Sequence, residues 1–112
     1  MTIIDGMLSF PSEFTLRDVT GIVRLEDVSL TDAPSVSIAT ARFAADDTDR
    51  PIPFRLATGQ PVHASRDYAV TAEAAATDAA TGRKRLFGTR AAIVWRPDAS
   101  PVSVAVQLKP WT

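Results

Sequence analysis

The chain has 112 residues, 46% hydrophobic and 22% charged, with a formal net charge of −1 and no cysteine. That length suits one domain able to bury roughly two-thirds of its unfolded surface, and the composition is that of a folded chain. Near-neutral charge gives no general pull toward nucleic acid or an anionic membrane, and without cysteine there is no disulfide, thiolate metal site, cysteine nucleophile or acylated thiol.

The first residues, Met1-Thr2-Ile3-Ile4-Asp5-Gly6-Met7-Leu8, hold neither a positive n-region nor a sustained apolar stretch. No run in the sequence approaches the ~20 apolar residues of a membrane span. The sequence as written therefore predicts a cytoplasmic protein if Met1 is the native start. It predicts a periplasmic or outer-membrane one if a leader was removed.

In chain order, residues 2–8 read as a strand, and Val23 and Leu25 then alternate with Arg24 and Glu26 in a second. The run ends in the polar corner Asp27-Val28-Ser29-Leu30-Thr31-Asp32-Ala33-Pro34. Residues 36–44 are a further strand, closed by the turn Asp46-Asp47-Thr48-Asp49-Arg50-Pro51. Ile52, Phe54 and Leu56 alternate with Pro53, Arg55 and Ala57, and the turn Thr58-Gly59-Gln60-Pro61 follows. Tyr68, Val70, Ala72 and Ala74 continue the period-two pattern that marks a half-buried strand. The run Ala72-Glu73-Ala74-Ala75-Ala76-Thr77-Asp78-Ala79-Ala80 has high helix propensity but no large apolar residue at helical spacing. A strand through Ala74 is expected, with a short helical insertion near 75–80 as the alternative. After the turn at Gly82, residues 85–95 read as one long strand carrying Phe87, Ile93 and Trp95. Val102, Val104, Val106 and Leu108 form the clearest alternation, beyond the turn at 96–101.

The eight prolines leave little room for long helices, since proline interrupts both helix and central ladder. About seven short antiparallel strands separated by turns predict an all-β domain, a single sandwich or open barrel spanning residues 1–112. Phe10, Phe14, Phe43, Phe54, Phe87 and Trp95 are its expected core aromatics. Trp111, beyond Pro110, fits either the end of that core or an exposed patch.

Candidate sites are sparse. Asp27, Asp32, Ser29 and Thr31 offer oxygen ligands, as do Asp46, Asp47 and Asp49, but neither set has the spacing of a calcium loop. Asx and ST turns account for both, and no metal or cofactor is predicted. His63 is the single histidine, in a polar loop, with no G-x-S-x-G elbow anywhere to nominate a serine nucleophile. One histidine is also too few nitrogen ligands for an ordinary catalytic zinc site. Arg83-Lys84-Arg85 reads as a solvated turn or as a contact for an acidic protein, because no basic-aromatic platform for nucleic acid accompanies it. No constellation points to an enzyme.

Several segments in order carry a resemblance: the strand containing Gly6, the loop Phe10-Pro11-Ser12-Glu13, and the segment Leu25-Glu26-Asp27-Val28-Ser29-Leu30-Thr31-Asp32-Ala33-Pro34. Pro51-Ile52-Pro53-Phe54-Arg55-Leu56 and Arg66-Asp67-Tyr68-Ala69-Val70 complete the set. The chain resembles the bacterial lipoproteins of the YbaY type, grouped with the YscW-like pilotins of type III secretion. The resemblance implies a small envelope β-sandwich without catalysis that binds a protein partner, a secretin subunit in the pilotins. Leu25, Asp27, Val28, Ser29, Asp32, Pro34, Pro53, Phe54 and Tyr68 carry the match and are expected to be structural. The lipidated cysteine of those lipoproteins has no counterpart in this sequence, so no direct membrane anchor is expected within it. The alternative reading is a small-molecule-binding domain, with Asp27, Asp32, His63 and Arg66 converging from loops at one end of the sandwich. A structural or accessory domain is a third reading.

Overall fold

A computed structural model describes residues 2–28, 36–59, 61–63, 66–89, 93–97 and 103–111. The chain forms β1 (Thr2–Ser9), β2 (Leu16–Asp27), β3 (Val36–Asp47), β4 (Ile52–Thr58), β5 (Tyr68–Asp78), β6 (Lys84–Gly88), β7 (Ile93–Trp95), β8 (Ser103–Gln107) and β9 (Lys109–Pro110). They build one sheet in the order β4-β1-β8 and a larger one in the order β3-β2-β5-β6-β9, with β7 also paired to β5. The two sheets are not closed into a barrel, so the fold is sandwich-like and all-β.

Alternation decides which residues meet between the sheets. Ile4 and Leu8 of β1, Ile52, Phe54 and Leu56 of β4, and Val104 and Val106 of β8 point inward from the smaller sheet. Val19, Val23, Leu25, Phe43, Tyr68, Val70 and Phe87 face them from the larger one. Each large side chain of this set removes about 1.5–3 kcal/mol worth of apolar surface from water relative to an exposed position. Gly6 occupies the remaining inward position of β1, opposite Phe54. A Cβ there would collide with the Phe54 ring and the Val104 carbonyl oxygen, so glycine is what lets that ring lie over the strand.

Four features differ from the expectation. Among the described residues there are nine strands where about seven were expected. The β1–β8 pair is parallel within a fold otherwise paired antiparallel. It joins strands far apart in sequence, a choice that local alternation does not encode. Residues 85–95 do not form one strand. Gly88 pairs with Glu73 while Ile93 pairs with Val70, so five steps on one side face three on the other. That two-residue offset divides the segment into β6 and β7 along the same neighbour, β5. Finally, no helix interrupts 75–80: β5 runs to Asp78, with Ala75 paired to Thr20 on one side and Leu86 on the other. Two hydrogen-bonded neighbours outweigh an alanine preference worth only fractions of a kcal/mol per residue, about 0.7 at most.

Two irregularities bend β2 and β3. Arg17 and Thr20 of β2 pair with Thr77 and Ala75, leaving one extra residue on β2, and Asp18 there has φ 53°. Asp tolerates the left-handed region better than most residues, which suits a bulge. On β3, Ile38 is the extra residue between the Leu25–Ala39 and Glu26–Ser37 pairs.

Candidate functional site

The end of the sandwich where β2 stops and β5 starts gathers three of the four residues singled out from sequence. Asp27 and Tyr68 are opposite each other in the β2–β5 ladder, and the Val28 N–H donates to the Asp67 carbonyl at 2.9 Å just beyond it. The Arg66 guanidinium donates to Asp27 Oδ2 at 2.8 Å, while its backbone N–H donates to the His63 carbonyl at 3.1 Å. The His63 N–H in turn donates to the Tyr68 hydroxyl at 2.9 Å. Burial of the Tyr68 ring and its edge contact with Trp95, 6.0 Å between centroids, anchor the group to the core. The Asp27 hydrogen bond, reinforced by its charge, raises the Arg66 pKa above its ordinary value. Asp32, Ser29 and Pro34 lie outside the described residues.

The arrangement is chiefly a clasp. Asp27 and Arg66 neutralise one another, His63 uses its backbone rather than its imidazole, and both His63 and Arg66 remain exposed. Among the described residues no group of three or more His, Asp or Glu is placed to hold a metal ion. At the Asp46–Pro51 corner, the Asp49 N–H donates to Asp47 Oδ1 at 3.1 Å, the hydrogen bond of an Asx turn.

The opposite end is closed differently, and sequence reasoning missed its central residue. Phe10 and Phe14 stand edge-on to Phe87, with centroids 5.2 and 5.6 Å away. Arg85 lies over the Phe14 ring at 5.0 Å and donates from Nε to Asp78 Oδ2 at 2.8 Å. Asp78 is buried, and its carboxylate also accepts the Ala80 N–H at 3.0 Å. The Arg85 hydrogen bond first, then the Ala80 backbone, hold its pKa below the ordinary carboxylate value. Arg85 is thus not part of a solvated basic turn, whereas Arg83 and Lys84 beside it are exposed. The only sequence signal was an acid placed before a turn that leads into basic residues.

Three cavities formed by described residues lie away from the clasp. One of about 500 Å³ sits between the 9–13 loop and the 107–110 corner where β8 leaves one sheet and β9 enters the other. A second, of about 400 Å³, lies on the far side of that loop against residues 48–51. A third, of about 490 Å³, is on the outer face of the larger sheet, where Trp111 contributes to its lining. Trp111 is 54% exposed, which assigns it to a surface patch and not to the core. Asp27, His63 and Arg66 line none of the three.

The family model of the type III secretion system lipoprotein chaperone (YscW) matches residues 2–106. The chain belongs to that family. A solved structure titled as an alternative pilotin from the type II secretion system of Vibrio cholerae is similar throughout: 27% identity, TM-score 0.78, covering 99% of this chain and 97% of that one. No curated protein matches the chain. Within the YscW family fold, Leu25, Phe54 and Tyr68 are buried core positions here, whereas Pro53 is exposed on the outer side of β4 and Val28 is 38% exposed just past β2.

Proposed function

We propose that the protein is a pilotin-type chaperone of the bacterial cell envelope, which binds a secretin subunit and performs no catalysis. The observation that carries this reading is the likeness to a type II pilotin over nearly the full length of both chains, at 27% identity. The family match supports it independently, because that family is described as one of secretion-system lipoprotein chaperones. The physical character of the domain is consistent with holding a protein segment. It has concave grooves with mixed apolar and polar lining, and its buried acid, Asp78, is engaged by Arg85 and by backbone N–H. Work done by such a chaperone takes place in the periplasm or at the outer membrane.

The test is calorimetric titration of the purified chain with a soluble region of the secretin encoded in the same genome. Saturable binding at one-to-one stoichiometry is expected. Absence of both heat and co-elution for every secretin of that genome would overturn the reading. A second reading, a small polar ligand at the Asp27–Arg66 end, draws on the closeness of Asp27, His63 and Arg66. Such a ligand would displace Arg66 and pair with the Asp27 carboxylate, so its binding should be abolished by Asp27→Asn while the fold persists.

A further inference from the structure

The C-terminal residues build a feature that the core does not need. Gly88 of β6 opposes Lys109 of β9, and the next alternate residue, Trp111, donates its backbone N–H to the Leu86 carbonyl at 3.1 Å. The indole lies against Gly88 so closely that a Cβ there would be 2.5 Å from its Cε2 and Cζ2 atoms. A glycine is therefore required to seat this ring, yet 54% of Trp111 and 60% of neighbouring Leu86 face solvent. A large aromatic held by the backbone and left open is arranged for contact, not for packing.

Register identifies what surrounds it. One row across the larger sheet runs Leu86–Ala75–Thr20, and the next runs Gly88–Glu73–Ile22–Arg42. Ile22, Ala75, Leu86 and Trp111 supply apolar lining to the cavity of about 490 Å³, and Arg42 and Glu73 supply its charges. Those charges do not cancel. Glu73 accepts a hydrogen bond from Arg24 at 3.1 Å, which compensates it, whereas Arg42 is exposed and has no ion-pair partner among the described residues. Lys109, exposed and opposite Gly88, places a second cation at the other end of the row. Four strand spacings of about 4.8 Å separate the strands of Arg42 and Lys109, or about 19 Å. Asp18 and Asp46 line an adjoining cavity that shares Thr20 with this one, beyond the Leu86–Ala75–Thr20 row from Lys109.

We infer that this outer face of the larger sheet is where the partner docks, and that the docking segment is acidic with an apolar anchor. The anchor side chain packs between Leu86 and Trp111, and flanking carboxylates reach Arg42 and Lys109. Tryptophan and arginine are the residue types that dominate binding energy at such centres. Concavity suits a protein segment better than a flat bilayer. The inference rests on the partner-binding reading and adds to it a surface and a charge sign.

The experiment uses the full chain, nitrogen-labelled, and two short synthetic peptides: one of alternating glutamate and leucine, the other with lysine in place of glutamate. The acidic peptide should shift the Trp111 indole and the amides of Ile22, Ala75 and Leu86, and the lysine peptide should not. Arg42→Glu and Trp111→Ala should each weaken that binding on the order of tenfold, with Arg42→Glu melting like the wild type. No shift on this face, or equal shifts from both peptides, overturns the inference. The secretin region is then competed against the acidic peptide. If it binds without displacing the peptide, the secretin reading stands and this surface is not its site. If the secretin does not bind at all while the acidic peptide does, the surface stands and the secretin reading falls.

Discussion

The two ends of the sandwich are sealed by different physics. At one, Phe10 and Phe14 cover Phe87, and a buried carboxylate, Asp78, is matched by Arg85 and a backbone N–H. At the other, the His63 N–H donates to the Tyr68 hydroxyl, main-chain hydrogen bonds join Arg66 to His63 and Val28 to Asp67, and the ion pair Asp27–Arg66 lies partly in solvent. Apolar burial and desolvated charge make the first end a stability determinant. Water competes for the Asp27–Arg66 pair of the second, where the Arg66 side chain is half exposed, which makes it the more easily opened end. Asp27, His63 and Arg66, which look functional in the sequence, lie at the weaker end, and the buried acid among the described residues, Asp78, lies in an alanine-rich strand.

Substitutions should rank accordingly. Val104→Asp, which places an unpaired charge at an inward position of β8 between the two ends, is expected to unfold the domain outright; circular dichroism with an intact thermal transition would contradict that orientation. Phe87→Ala removes the ring on which the aromatic end is built and should cost about 3–5 kcal/mol in urea unfolding. The comparison breaks if that loss is no larger than one produced in the clasp.

Asp78 predicts a pH dependence of definite sign. Its folded-state pKa is depressed, so the stabilisation it supplies is present above the ordinary aspartate value, about pH 4, and is lost as pH falls through the lower folded-state value. Asp78→Asn should lower the melting temperature at neutral pH and flatten the acid limb of the stability profile. Melting curves with unchanged acid slope would exclude Asp78 as its source. At the clasp, Tyr68→Phe removes the acceptor of the His63 N–H and should cost about 1 kcal/mol by denaturant titration. Arg66→Gln, at an exposed pair, should change the melting temperature least of all, and its small effect should shrink further in high salt.

Much of the architecture was legible because period-two alternation is a local property. Ile52–Phe54–Leu56, Tyr68–Val70–Ala72–Ala74 and Val104–Val106–Leu108 all turn inward as their patterns require. The division of 85–95 was not legible, because the break is an offset in pairing with β5 and leaves no mark in the composition of the segment. The helix propensity of the run after Ala74 was real but decided nothing, since β2 and β6 hydrogen-bond that stretch from both sides. Asp27 and Arg66 were visible as candidates, but their pairing spans 39 residues of sequence, and only folding brings them within 2.8 Å. Asp78 was passed over because a buried carboxylate is recognisable only from its surroundings.

An all-β domain, its inward residues and its likeness to a secretion chaperone family were set by the sequence, since each depends on local pattern or on motifs in order. The tertiary structure alone decided the parallel β1–β8 pair, the two ways of closing the ends, and the seating of Trp111 on Gly88. The physical reason is that these depend on which distant strands become neighbours, and hence on which charges lose their water.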